Sequence, residues 1–224
     1  MLLTRREIPI LVVNLIYIPI FTVMALRRTN YEFVLYVGVI LIAGGWILFK
    51  QRTIRFDRTI LWGLTIWGLL HMSGGNIHIG DGVLYDSELI RVLPAYHILR
   101  YDQLVHMFGF GIVTLLCHHL LRPYLREGIT RWAVLSFLIV LMGSGFGALN
   151  EIVEFIAVET VPETGVGGYQ NTALDLVFNL VGGTMAICWL AWRRRRERSA
   201  RLRFASDSPG DGGISHLSSD HALR

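Results

Sequence analysis

YDQLVHMFGFGIVTLLCHHL, residues 101–120, opens with an acid and a histidine four apart and is otherwise almost wholly apolar. It reaches the length of about 20 residues that a helix needs to cross the hydrocarbon core. Yet it carries Asp102 and His106 at its mouth, and a spacing of four sets both on one helical face. The stretch reads as a membrane helix with a polar corner. It points to an all-α fold, a polytopic membrane helix bundle.

The rest of the chain agrees. Of its residues 53% are hydrophobic and 17% charged, where a soluble domain is usually about a quarter charged. Six segments reach spanning length, near 8–26, 31–49, 58–76, 103–121, 131–158 and 173–192. The apolar run after Arg5 and Arg6 continues to Leu26 without a small-residue cleavage site and is expected to stay as the first span. The expected division is a six-helix transmembrane domain over 1–198 and a disordered cytoplasmic tail over 199–224, where Ser, Asp, Gly and His follow no period. The link 77–100 is too polar to span, and 159–172 reads as a loop.

Basic residues give an orientation. If both termini are cytoplasmic, that side receives 17 Lys and Arg against 4 on the other, and 9 against 4 without the C-terminal eight. The expectation is a multi-pass protein of the cell inner membrane with both termini in the cytoplasm. The net charge of +4 needs no nucleic acid, because most arginines flank apolar segments and face membrane lipids.

This topology sorts the ionisable residues. His71 lies near the outer end of the third span, Asp102 and His106 at that of the fourth, Glu151 and Glu154 toward that of the fifth, Asp175 and Asn179 toward that of the sixth. Charge at bilayer depth costs roughly 2.5 kcal/mol or more unless it is paired, wet or turned into the bundle. A shared polar pocket at the outer face follows, with Asp102 as a mere N-cap and Asp175 as a first-turn acid as the structural alternatives. His118 and His119 fall at the opposite helix end and read as interfacial or packing residues; His78 and His97, in the outer link, could cover the pocket. The tail histidines, His216 and His221, have no expected role. GSGFGA, residues 143–148, with Gly109, Gly111, Gly182 and Gly183, offers small faces for close helix approach. Cys117 and Cys188 are expected as small buried thiols without a disulfide.

HMSGG, YDQLVH, the NEIVEF helix and YQNTALDLVFNLVGG together resemble the DUF2238 (YjdF-like) family of bacterial inner-membrane proteins, over residues 8–192. Residues 101–185 are also similar to the VanZ-like family, whose pattern falls here on Asp102, His106, Glu151, Gln170, Asp175, Asn179 and Gly182. That resemblance implies a helical membrane fold, a polar site including Gln170, and a role in the cell envelope such as glycopeptide resistance. Glu154 and His71 go beyond the VanZ-like set. Neither family brings a settled reaction.

Three function classes remain open. One is binding of a lipid headgroup or an envelope-related, lipid-linked small molecule at the pocket, with His71, Glu154, Gln170, Asp175 and Asn179 as ligand-binding residues under Tyr85, Tyr96 and Tyr169. The second is an enzyme with His106, Glu151 and Asp102 as catalytic residues. It would work either by acid–base chemistry or with one divalent metal ion held by His71, His106, Glu151 and Glu154. The third is transport of a small solute or ion. No Gly-x-Ser-x-Gly motif supports acyl-enzyme chemistry.

The topology has a direct check. In a cysteine-free background, a cysteine placed at Gly165 is expected to react with an impermeant thiol reagent on intact cells. Labelling only after the cells are opened would reverse the orientation.

Overall fold

The computed structural model describes residues 4–89, 99–125, 131–162 and 164–207. Six helices follow one another among these residues: α1 (Ile8–Arg27), α2 (Tyr31–Ile54), α3 (Arg58–Asn76), α4 (Tyr101–Leu121), α5 (Trp132–Thr160) and α6 (Tyr169–Asp207). Five of them, all but α3, are long and apolar enough to cross a membrane. The expectation of six crossings is close to this, and α3 accounts for the difference. It packs against α1, α2 and α4. A helix covered by neighbours can carry Gly, Thr, Ser and Asn where a lipid-facing one carries Leu and Ile.

The helix starts are encoded locally. Asn30 accepts the Phe33 amide at 3.2 Å to open α2, and Asp57 accepts the Thr59 amide at 2.7 Å to open α3. At α4 the capping position belongs to Arg100, whose own amide donates to Gln103 Oε1 at 2.8 Å. Asp102 is therefore not the N-cap, and its carboxylate is left for the bundle interior. Between α3 and α4 a two-residue antiparallel pair, β1 (His78–Ile79) with β2 (Gly82–Val83), leads into a 3₁₀ turn at Leu84–Asp86.

Contacts divide the chain into two compact units, Met1–Ile187 and Cys188–Arg224. In the first, α3 packs on α1 and α4, and α4 packs on α5. Tyr17, Phe21, Phe33, Tyr36 and Met72 form one buried cluster, and Ile10, Phe56 and Leu61 a smaller one. In the second, the described residues continue α6 as helix to Asp207. Residues 199–207, expected as disordered tail, are thus helical. Arg, Glu and Ala favour helix, and Arg193 pairs with Glu197 at 3.0 Å one turn on. His216 and His221, like Tyr96 and His97, lie outside the described residues. Cys117 is buried and unbridged as expected; Cys188 is unbridged but exposed, contrary to expectation.

Glycine decides how closely the helices approach. A Cβ on Gly182 would run into the Met107 carbonyl oxygen and stand 3.1 Å from the Gly111 nitrogen, and one on Gly111 would stand 3.2 Å from the Gly182 oxygen. Here α4 and α6 touch backbone to backbone. Within GSGFGA, a Cβ on Gly143 would collide with Thr114 and one on Gly147 would lie 2.5 Å from Asn179 Nδ2, whereas Gly145 has open space. Overpacking typically costs 1–3 kcal/mol when neighbours can yield, and a backbone carbonyl cannot. Gly182→Ala and Gly147→Leu are expected to lose about 3 kcal/mol or the folded protein altogether, with Gly145→Ala and Leu141→Ile nearly neutral. Melting curves in detergent check this, and equal stability across the four variants would place these glycines away from helix contacts.

Candidate functional site

The polar site lies at the end of the bundle where α3 and α5 finish and α4 and α6 begin. His106 is at its centre and only 3% exposed. Its Nδ1 stands 3.2 Å from Asn179 Oδ1 and 3.6 Å from Glu151 Oε1. Its Nε2 stands 3.6 Å from Asp102 Oδ1 and 3.9 Å from Glu154 Oε1. Three helices thus deliver acids or an amide to one ring.

The second layer of bonds is selective. Asp175, fully buried, accepts Gln103 Nε2 at 3.0 Å and Asn171 Nδ2 at 2.6 Å. Asn171 Nδ2 also reaches Asp102 Oδ2 at 3.0 Å, so this amide ties α6 to α4. Glu154 Oε1 accepts Asn150 Nδ2 at 2.8 Å. Glu151 receives nothing comparable: neither of its buried carboxylate oxygens has a hydrogen-bond partner, and Asn179 Nδ2 has none either. Buried acceptors without donors are uncommon, because the lost solvation is not returned.

Beside this centre is a cavity of about 50 Å³, lined by Glu32, His71, Tyr85, Arg100, Asp102 and Glu154 among others. The segment Gly165–Gly167 closes part of its wall, with the Gly165 amide donating to Glu32 Oε2 at 2.6 Å. His71 keeps some distance from the His106 cluster. Its Nδ1 is 2.6 Å from the Tyr85 hydroxyl, which also donates to the His71 carbonyl at 2.9 Å. Burial, together with the charges of Asp102 and Glu154, holds the Tyr85 phenol well above its usual range, so it stays protonated.

Two sets of ligand atoms lie close enough to share an ion: His106 with Glu151 and Glu154, and His106 with Asp102 and Asp175. Of the four expected metal ligands, the structure groups His106, Glu151 and Glu154 and leaves His71 in the cavity wall with Tyr85. Asp102, Asp175 and Asn179 are in the site as read from the sequence. Gln170 is not; it is exposed, and its neighbour Asn171 points inward in its place. Tyr169 is 90% exposed and lines nothing here. His78, expected as a possible cover, has its Nδ1 against Arg28 Nη1 at 2.6 Å. His118 and His119 pack on Trp132 and Phe56 as expected.

Sequence reading missed Glu32, Gln103, Asn150 and Asn171. A usable signal existed for three of them. Glu32 is an acid in the first turn of an apolar span, Asn150 precedes Glu154 by four, and Asn171 precedes Asp175 by four. Gln103 has no such pattern, and only the crossing of α4 with α6 places it on Asp175.

Over residues 9–196 the chain matches the family model described as "Predicted membrane protein (DUF2238)". No curated protein and no solved structure matches it. The likeness of residues 101–185 to the VanZ-like family stays one of motif residues. Because the matched range takes in the first five helices and most of the sixth, with every residue of the site, the chain belongs to the DUF2238 family of membrane proteins.

Proposed function

We propose that this chain is a membrane protein that holds a divalent cation between His106, Glu151 and Glu154 and presents it, through the adjoining cavity, to a ligand at the membrane surface. The observation that carries the reading is the crowding of acceptors around one imidazole. Asn179 Oδ1 only accepts hydrogen bonds, so Nδ1 carries the proton toward it, and in the neutral ring Nε2 holds a lone pair. That lone pair faces carboxylate oxygens of Asp102 and Glu154 at 3.6 and 3.9 Å. Lone pairs do not gather in a dry interior without positive charge between them. Tetrahedral ligands at about 2.1 Å from an ion lie about 3.4 Å apart, close to these spacings. The two unpartnered oxygens of Glu151 supply the remaining acceptors, and hard oxygen with imidazole suits Zn, Mn, Fe or Mg.

Asp175 and Asp102 then act as orienting groups, Asp175 through Gln103 and both through Asn171. The cavity, at about 50 Å³, holds an ion's water or one small group of a ligand and not a whole headgroup. A lipid-linked or envelope-related molecule would reach the ion with a single polar substituent, its apolar part staying in the membrane. On the topology read from the basic residues, this happens at the outer face of the inner membrane.

A second reading has its own support. A proton on Nε2 would also answer the crowding, and His106 would then serve as an acid–base residue between Asp102 and Glu154 without any metal.

Elemental analysis of detergent-purified protein, after exposure to Zn, Mn and Mg in turn, separates the two. About one ion per chain is expected, lost in His106→Ala and Glu151→Gln with the fold retained. Asp175→Asn is expected to weaken binding by about 10–100-fold. Metal content near zero in the wild type would leave the acid–base reading alone.

A further inference from the structure

At the other end of the bundle, α1, α2 and α3 enclose a groove of about 480 Å³, within the usual size range of small-ligand sites. Its walls are Ile10, Ile18, Ile40, Leu61 and Trp67, and Gly44 opens one side of it. A Cβ added to Gly44 or Gly45 meets nothing within 4 Å. Pro19 also lines it, and without an amide proton Pro19 leaves the Leu15 carbonyl short of its helical donor. The polar groups present satisfy one another. Glu7 accepts Gln51 Nε2 and the Thr4 amide, both at 2.7 Å, and Asn14 donates to Thr65 Oγ1 at 2.8 Å. An occupant finds mostly apolar wall, the Leu15 carbonyl aside, which suits a hydrocarbon chain better than a polar solute. Leu15 and Leu41 on the rim are 63% and 57% exposed, so the groove opens toward the surrounding lipid.

The mouth of the groove is marked by Glu7 and Gln51. Around it the chain places Arg5, Arg6, Lys50, Arg52, Arg55 and Arg58, at the start of α1, the end of α2 and the start of α3. None of the six pairs with a carboxylate among the described residues, and all but Lys50 are exposed. Basic residues near the membrane surface each favour anionic lipid by about 1 kcal/mol. An apolar slot under a cluster of exposed cations has the shape and charge of one lipid class.

We infer that this groove is a binding site for one anionic phospholipid, an acyl chain lying between α1, α2 and α3 and the phosphate resting among the basic residues at its mouth. The site lies outside the acidic centre and shares no residue with it.

Native mass spectrometry of delipidated protein in detergent tests it, with phosphatidylglycerol and phosphatidylcholine of identical acyl chains as probes. One phosphatidylglycerol per chain is expected at concentrations where phosphatidylcholine is not retained. Arg6→Gln combined with Arg52→Gln should weaken phosphatidylglycerol about tenfold and leave phosphatidylcholine unchanged. Gly44→Leu should weaken both lipids, because it fills the groove without touching the charges. Gly45→Leu replaces it if that variant does not fold. Equal retention of the two lipids would overturn the headgroup assignment. Unchanged phosphatidylglycerol binding in a folded groove-filling variant would overturn the site itself, and so would a homodimer that excludes lipid, with a second copy as occupant.

Discussion

The contact between Gly111 and Gly182 fixes the site. A Cβ on Gly182 would overlap the Met107 carbonyl and one on Gly111 would be tight against the Gly182 oxygen at 3.2 Å, so α4 and α6 meet along their backbones. Gln103, Met107 and Gly111 fall on one stripe of α4, and Asp175, Asn179 and Gly182 on one stripe of α6. Bringing the glycines together brings Gln103 to Asp175 and His106 to Asn179. Within lipid there is little hydrophobic gain from helix association, and close packing with interhelical hydrogen bonds supplies the affinity. The buried polar cluster and the glycine stripe are therefore one device. Gly147 extends it to α5, where the absent side chain makes room for Asn179.

The arrangement does not serve stability alone. Each buried carboxylate costs several kcal/mol unless its lone pairs are met. Asp175 is met twice and Glu154 once by amides. Glu151 has no amide within hydrogen-bond geometry at either oxygen, and the nearby Asn150 amide is bonded to Glu154. A bundle built for packing would have an apolar residue there. On the proposed reading, Glu151 stands open beside His106 for a positive charge to complete.

How much of this was legible follows from what each signal depends on. Helix existence depends on apolar run length, and α3 was read to the residue, Arg58–Asn76. Whether it crosses the membrane depends on what covers it, which composition alone does not say. His106, Glu151, Glu154, Asp175 and Asn179 were legible because an i,i+3 or i,i+4 pair on an apolar helix is costly unless it faces inward. The VanZ-like pattern falls on the exposed Gln170 while Asn171 faces in, because one residue on a helix turns a side chain by about 100° and a motif does not show which of two adjacent amides faces in. His71 lines the cavity and lies apart from the His106, Glu151 and Glu154 group. The Tyr85 hydroxyl beside it comes from a 3₁₀ turn whose position no helical period encodes.

The groove and the acidic centre sit at opposite ends, yet they are not mechanically separate. Trp67 lines the groove and occupies the space that a Cβ on Gly109 would need. Its ring meets Phe110 edge-on at 5.2 Å, and Phe110 in turn lies 5.8 Å from the His106 ring. Gly109 is thus the counterpart of Gly111 on another face of α4: one admits the α6 backbone, the other admits Trp67 from α3. A side chain at Gly109 would push Trp67 into the groove or α4 away from α3, and either shift would carry Phe110 with it. Packed interiors transmit such displacements because they have few voids to absorb them. The position of the imidazole is set from two sides, by an amide on α6 and by an aromatic stack that begins in the groove wall, and α4 is the element on which both constraints meet.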